Sequence, residues 1–129
     1  MSLQIKVVTP TKIAFEGEAQ SIQVPGWLGQ YGVLPRHAAM LTLSRAGILY
    51  LHKGGSTDRF VIGRGFVEVG DDSVNLMVNS CTPVDEVDIA AAQKELQDLK
   101  GQLESLNSQD PSYISIRKRI ELVRVQANL

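Results

Sequence analysis

The chain has 129 residues, 43% hydrophobic and 21% charged, which is the composition of a soluble globular protein in the usual single-domain size range. Its formal net charge of −1 argues against a nucleic-acid partner, and its single cysteine excludes an internal disulfide or a cysteine-based zinc cluster. No apolar run approaches the roughly 20 residues that span a bilayer, so we expect any membrane association to pass through a partner protein.

Residues 1–84 are predicted to form an N-terminal domain of short strands and turns. Apolar and polar residues alternate around Ile5, and shorter apolar runs surround Ile13 and Ile22. Four further strands are predicted at residues 48–52, 59–62, 66–69 and 74–78. Turns rich in glycine and aspartate separate them. Many short strands at close spacing favour an antiparallel β-sandwich or flattened barrel.

Residues 85–129 are predicted to form a helical hairpin, which makes the fold class α+β. The first apolar stripe consists of Ile89, Ala92, Leu96, Leu99, Leu103 and Leu106, and the second of Tyr113, Ile116, Ile120, Val123 and Ala127. Asp85 and Asp88 resemble a capping box, and Asp110-Pro111 predicts the start of the second helix. A short link between two striped helices predicts antiparallel packing along the stripes.

Opposite charges on the two helices also favour this pairing. Residues 85–106 carry six acids and two bases, whereas residues 110–129 carry four bases and two acids. Gly101 interrupts the first helix and has two interpretations. It either lets a bulky side chain of the second helix approach closely, or makes a soft point where the hairpin bends.

The sequence contains no catalytic constellation. It lacks a Walker-type phosphate loop, a serine nucleophile elbow and a histidine pair at metal-ligand spacing. Asp71 and Asp72 lie in a turn, and Cys81 is interpreted as a buried, inert thiol. We therefore predict a non-enzymatic interaction protein without a cofactor or a metal.

Three segments resemble the epsilon subunit of bacterial and chloroplast F-type ATP synthases, which is called delta in mitochondria. They are LQIKVVTPTKIAFEGEAQSIQVPG, GQYGVLPRHAAMLTLSRAGILY and GRGFVEVGDDSVNLMVNSC, and they follow the family's order and spacing. The resemblance extends over the whole chain, including the helical hairpin.

The resemblance implies a non-catalytic rotor subunit in the central stalk of a proton-translocating ATP synthase. The β-sandwich would contact the gamma subunit and the c-subunit ring. The hairpin would either fold against the sandwich or extend along gamma toward the α/β catalytic head and inhibit ATP hydrolysis. The protein would be peripheral, on the cytoplasmic face of a plasma or thylakoid membrane.

The resemblance also implies two sets of contact residues. The c-ring and gamma interface would include Trp27, Leu28, Gln30, Tyr31, Arg36 and His37. The basic residues that would reach the catalytic head, or simply form a solvated helix face, are Arg117, Lys118, Arg119 and Arg124. Trp27 has a second interpretation, as a core residue that interrupts a loop over residues 25–41.

Two departures from the family pattern concern function. Trp27 and Leu28 stand where relatives commonly carry an acidic loop. In the ATP-binding motif of some relatives, Asp88 is matched but Ala91 replaces the arginine. A methyl group cannot pair with phosphate, which argues against ATP binding. The alternative function is a free-standing β-sandwich adaptor that dimerises through its hairpin.

Overall fold

The computed structural model describes residues 2–27, 29–36 and 39–129. The chain divides into two compact units, Met1–Val84 and Asp85–Leu129, each described by itself below. The first unit is a β-sandwich, close to a barrel, and the second is a pair of helices, which confirms the predicted fold class. Ten strands form the first unit: β1 Leu3–Val8, β2 Ile13–Ala19, β3 Ser21–Gly26, β4 Gly29–Val33, β5 Met40–Ser44, β6 Gly47–Lys53, β7 Ser56–Ile62, β8 Gly65–Gly70, β9 Ser73–Val78 and β10 Cys81–Pro83.

The strands pair in the order β10-β7-β6-β3-β5-β8-β9-β1-β2, with β4 added beside β3. Every pair is antiparallel except β1 with β9, in which Ile5 faces Val74 in parallel register. Alternate residues of the strands point inward, and aliphatic side chains fill the interior, among them Leu3, Ile22, Leu49, Leu51 and Leu76. The sequence predicted only antiparallel pairs, so this parallel pair is a difference. The relative direction of β1 and β9 depends on the long connection between them and not on the residues of the two strands.

Three strands were not predicted from the sequence: β4, β5 and β10. Residues 25–41 were interpreted as a loop, whereas β3 runs on to Gly26, β4 occupies Gly29–Val33 and β5 begins at Met40. The glycines that suggested a loop here form a tight turn, because Gly26 pairs with Gly29 and Gly29 has a φ of +113°. Strand pairing with β3 therefore outweighed the local glycine content.

The second unit contains two helices, α1 Ile89–Glu104 and α2 Pro111–Ala127, after a short 3₁₀ turn at Val84–Glu86. They are antiparallel, because a residue near the start of α1 contacts the end of α2. The side-chain amide of Gln93 donates from Nε2 to the carbonyl oxygen of Ala127 at 3.3 Å. Their buried residues are Ala92, Ile120, Val123 and Ala127, and Leu96 and Leu99 are partly buried beside them.

The helix ends differ in how well the sequence predicted them. Asp110 caps α2 as predicted, accepting from the Ser112 amide at 2.9 Å. Asp88 caps α1 and accepts from the Ala91 amide at 3.0 Å. The predicted capping box with Asp85 is therefore wrong, because Asp85 lies in the 3₁₀ turn before the helix begins.

Gly101 lies in α1 and its surroundings decide between its two interpretations. A Cβ atom placed there would have no neighbouring atom within 4 Å. Close approach of a bulky side chain from α2 is therefore not the reason for this glycine. The remaining interpretation, a point of low helix propensity in α1, stays a prediction.

Candidate protein-docking surfaces

Trp27 lies in the tight turn between β3 and β4, at one end of the sandwich. The residue is 47% exposed, so the interpretation as a core residue is wrong. Two guanidinium groups flank the ring, with the Arg45 Cζ 5.6 Å and the Arg64 Cζ 5.0 Å from its centroid. Such cation–π contacts hold an exposed indole in a preferred orientation.

The two neighbours of this turn on β4 have structural roles in the sandwich. The Tyr31 ring covers Gly26, where an added Cβ would lie 2.9 Å from ring carbons, and it packs against the core. Burial raises the pKa of the Tyr31 phenol to about 12. Gln30 is exposed and donates from Nε2 to the Ile48 carbonyl oxygen at 3.3 Å, which links β4 to β6.

Arg36 lies at the opposite end of the sandwich from Trp27. Strand β4 runs the length of the sandwich between them, and its five residues extend over roughly 15 Å. The Arg36 amide donates to Asp72 Oδ1 at 2.6 Å, in the turn between β8 and β9. The predicted interface residues thus do not form one surface, and two of them, Leu28 and His37, lie outside the described residues.

A row of apolar side chains crosses the outer face of five strands, and the sequence analysis did not predict it. Direct strand register aligns its members as neighbours: Leu43 with Phe66, Phe66 with Met77, Met77 with Val8, and Val8 with Ile13. We call these five residues the apolar row. Four of them are 44% to 54% exposed, and Val8 is partly buried.

Polar residues border the apolar row on one side. The adjacent register row consists of the polar residues Glu68, Asn75, Lys6 and Glu16, and of Leu41 on β5, which is the one apolar member. An exposed apolar patch with a polar rim is typical of a protein-interaction site. The signal was present in the sequence, since Leu41, Leu43, Phe66 and Met77 occupy outward positions of amphipathic strands. Recognising them as one patch required the pairing of strands far apart in the chain.

In the helical unit, the two predicted stripes face each other along most of their length. Ile120 and Val123 are buried, and Leu103, Tyr113 and Ile116 are partly buried, whereas Ile89 is 38% exposed. The Asp88 carboxylate is engaged by the helix cap, so the matched ATP-motif position has a structural role here.

The four basic residues of α2 are all exposed, and the side chains of Arg117 and Arg119 have contacts within the hairpin. Arg119 forms a bidentate pair with Glu95, with donor–acceptor distances of 2.8 and 3.2 Å. The Arg117 Cζ lies 5.9 Å from the Tyr113 ring centroid, and the Arg124 carbonyl oxygen accepts from Asn128. Arg119 must exchange this carboxylate for another before it can contact a partner.

Reactive groups are scarce among residues 2–27, 29–36 and 39–129. No group of three or more His, Cys, Asp or Glu side chains there is arranged to hold a metal ion. Cys81 is buried, and burial raises the pKa of its thiol to about 11 despite the nearby Lys12 charge. A thiol with this pKa carries little thiolate at neutral pH. Neither described helix combines the length and the apolar character needed to cross a membrane.

A β-sandwich with an exposed apolar row, followed by a helical hairpin, is an architecture typical of interaction proteins. The family model described as "ATP synthase, Delta/Epsilon chain, beta-sandwich domain" matches residues 2–84. The chain belongs to this delta/epsilon chain family of ATP synthase, whose members are non-catalytic subunits of the complex. The resemblance found in the sequence is therefore confirmed.

Curated relatives match along nearly the whole chain. The ATP synthase epsilon chain of Prochlorococcus marinus (strain MIT 9211) is 31% identical over 129 residues, covering 100% of this chain and 96% of the relative. That of Geotalea daltonii is 34% identical over 126 residues, covering 96% and 91%.

Two cryo-EM structures share the fold. A chain of the Euglena gracilis mitochondrial ATP synthase (OSCP/F1/c-ring) superposes with a TM-score of 0.81 at 22% identity, covering 96% of this chain and 78% of that one. A chain of the Tetrahymena thermophila mitochondrial ATP synthase central stalk and c-ring gives a TM-score of 0.71 at 18% identity, covering 99% and 96%.

Proposed function

We propose that this subunit works in the rotor of a proton-translocating ATP synthase, where it couples the gamma subunit to the c-subunit ring. The observation that carries this proposal is the apolar row, because an exposed stripe across five strands is a binding surface for another protein. We assign it to gamma. Two comparisons support this assignment. Relatives of the chain are named ATP synthase epsilon chains, and a protein with the same fold occurs in a structure of an ATP synthase central stalk and c-ring.

The Trp27 turn supplies the second contact, with the c-ring. Its exposed indole is a residue type enriched at the centre of protein interfaces. Gln30, Arg45 and Arg64 lie close to it and fix the shape of this end of the sandwich. Because Arg36 lies at the other end, it is not part of the same contact.

The helical hairpin regulates ATP hydrolysis in this proposal. Its buried contact is small enough that α1 and α2 can separate and pack on another coiled coil. In the extended state the exposed bases Arg117, Lys118, Arg119 and Arg124 contact acidic loops of the α/β head. The complex holds the subunit at the membrane surface, on the cytoplasmic face.

Replacement of Phe66 by glutamate tests the gamma contact. The carboxylate is solvated in the free subunit, since Phe66 is 54% exposed, but has to be desolvated against an apolar partner. We expect Phe66→Glu to fold normally by circular dichroism and to lose co-purification with co-expressed gamma. Arg59→Glu, an exposed position on β7, is the matched control and retains binding. Equal recovery of gamma with both variants would remove the apolar row from the interface.

Deletion of residues 85–129 tests the regulatory role separately. The β unit has its own core, so we expect the shortened chain to bind gamma as the full chain does. ATP hydrolysis by the reconstituted complex is expected to rise. Unchanged hydrolysis would show that the hairpin does not inhibit this enzyme. If the full-length chain bound no gamma and instead dimerised in solution, the adaptor alternative would replace the proposed function.

A further inference from the structure

Five turns gather at the end of the sandwich that carries Trp27. Strand register brings them together, because Gly26 pairs with Ser44, Ser44 with Gly65, and Gly65 with Val78. On the neighbouring strands, Met77 pairs with Val8. The described residues of the connections that meet at this end are 9–12, Trp27, 45–46, 63–64 and 79–80.

The charges at this end all have the same sign. The five connections contain Lys12, Arg45 and Arg64 and no aspartate or glutamate. We call this end of the sandwich the cationic end. At the opposite end the turns carry both signs, with Asp71 and Asp72 near Arg36. A chain whose net charge is −1 therefore concentrates positive charge beside an exposed tryptophan ring.

Two arginines and Trp27 are held in a fixed arrangement. Both guanidinium groups lie within 6 Å of the ring centroid. Backbone hydrogen bonds brace the turns, from the Arg45 amide to Pro25 O at 3.0 Å and from the Asn79 amide to Arg64 O at 3.0 Å. Prior ordering of these side chains lowers the entropy cost of binding, and the guanidinium fork matches a carboxylate.

We infer that the cationic end receives a carboxylate-bearing loop of a protein partner. The inference rests on the proposed function, in which this end docks on the c-ring, and it adds that the ring loop in contact presents aspartate or glutamate. Arg45 and Arg64 pair with the carboxylates, while Trp27 supplies apolar contact between them.

The number of cations favours a protein over a membrane surface. Recognition of anionic lipid headgroups uses clusters of about four to eight basic residues, each contributing about 1 kcal/mol. The cationic end has three, and only Arg45 and Arg64 lie over the Trp27 ring. Two arginines and one tryptophan instead have the composition of an interface hot spot.

Charge reversal tests the inference in the assembled complex. The chain is co-expressed with gamma and the ring subunits, and the Kd for the detergent-solubilised ring is measured at two salt concentrations. We expect the double variant Arg45→Glu/Arg64→Glu to bind the ring at least about tenfold more weakly and gamma unchanged. Arg45→Lys/Arg64→Lys keeps the charge and is expected to stay within a few-fold of wild type. Arg59→Glu is the control for a distant charge.

Each outcome distinguishes the inference from the proposed function. If wild type binds the ring and the double reversal binds equally well, the carboxylate partner is wrong while the rotor role stands. If wild type binds neither gamma nor the ring, the proposed function fails and this inference fails with it. Co-sedimentation with phosphatidylglycerol but not phosphatidylcholine vesicles, abolished by the double reversal, would assign the cationic end to lipid headgroups and overturn the inference.

Discussion

The β unit and the helical hairpin bury their apolar residues to very different extents. The β unit encloses large aliphatic side chains from most of its strands, including Leu3, Leu49 and Leu51. The hairpin buries only Ala92, Ile120, Val123 and Ala127, with two leucines partly covered. Because burial stabilises roughly in proportion to the apolar area removed from water, the first unit holds itself together far better than the second.

This difference separates two tasks within one chain. A docking platform must keep its shape, and the apolar row depends on the register of five strands. A switching element must have two packings that differ by only a few kcal/mol, and a thin contact between helices permits that. Four sets of variants can test this difference between the two units.

The strongest test removes a large side chain from the β core. Leu49→Ala is expected to lower the free energy of unfolding by about 2–5 kcal/mol, because Leu49 is fully buried and its loss leaves a cavity. Leu41→Ala is the matched control, since Leu41 is 69% exposed, and is expected to change stability by less than about 0.5 kcal/mol. Urea unfolding followed by circular dichroism measures the free energy of unfolding of both variants. A similar loss of stability in both would contradict the assignment of Leu49 to the core and of Leu41 to the surface.

A buried residue of the hairpin provides the corresponding test in the second unit. Val123 is fully buried, and Val123→Ala removes two methyl groups at an expected cost of about 1.5–2.5 kcal/mol. We expect faster amide hydrogen exchange in α1 and α2 and unchanged exchange in β1 and β9. Exchange that increased equally in both units would mean that they unfold as one cooperative body.

Gly101 allows the hairpin to be strengthened instead. Gly101→Ala is expected to stabilise α1 by about 1 kcal/mol, because alanine is the better helix former and a Cβ meets no atom within 4 Å. Gly29→Ala is the contrasting variant, which should destabilise the β3–β4 turn because Gly29 has a φ of +113°. Slower hydrogen exchange in α1 measures the gain. A loss of stability with Gly101→Ala would point to strain in the helix at that position.

The smallest effect concerns the ion pairs on the two surfaces. A double-mutant cycle on Glu95 and Arg119 is expected to give a coupling of about 0.2–1 kcal/mol that decreases with salt, because both side chains are half-exposed. Lys53 and Asp58 form a comparable exposed pair in the β unit, at 2.6 Å. A coupling above about 2 kcal/mol in the hairpin alone would mean that charge, and not apolar packing, holds its helices together.

Local patterns were sufficient for most of the elements. The strands from Gly47 to Val78 and both helices follow from apolar periodicity and turn residues, and Asp110-Pro111 located the start of α2. The family resemblance came from three separate segments and was confirmed. The failures were local as well, since glycine in residues 25–41 obscured β4, and the choice between Asp85 and Asp88 as the cap depended on one turn of backbone.

The fold class, the two apolar stripes of the hairpin and the family could all be inferred from the amino-acid sequence alone. These depend on spacing within about ten residues, which any reader of the sequence can measure. Which exposed residues share a surface could be seen only once the strands were paired in three dimensions. In the folded chain, Val8, Phe66 and Met77 lie in one row, and Arg36 lies at the end opposite Trp27. Arg45 and Arg64 pack against the indole. Pairing between strands that are distant in sequence decides which side chains are adjacent on a sheet, and the local sequence does not encode that pairing.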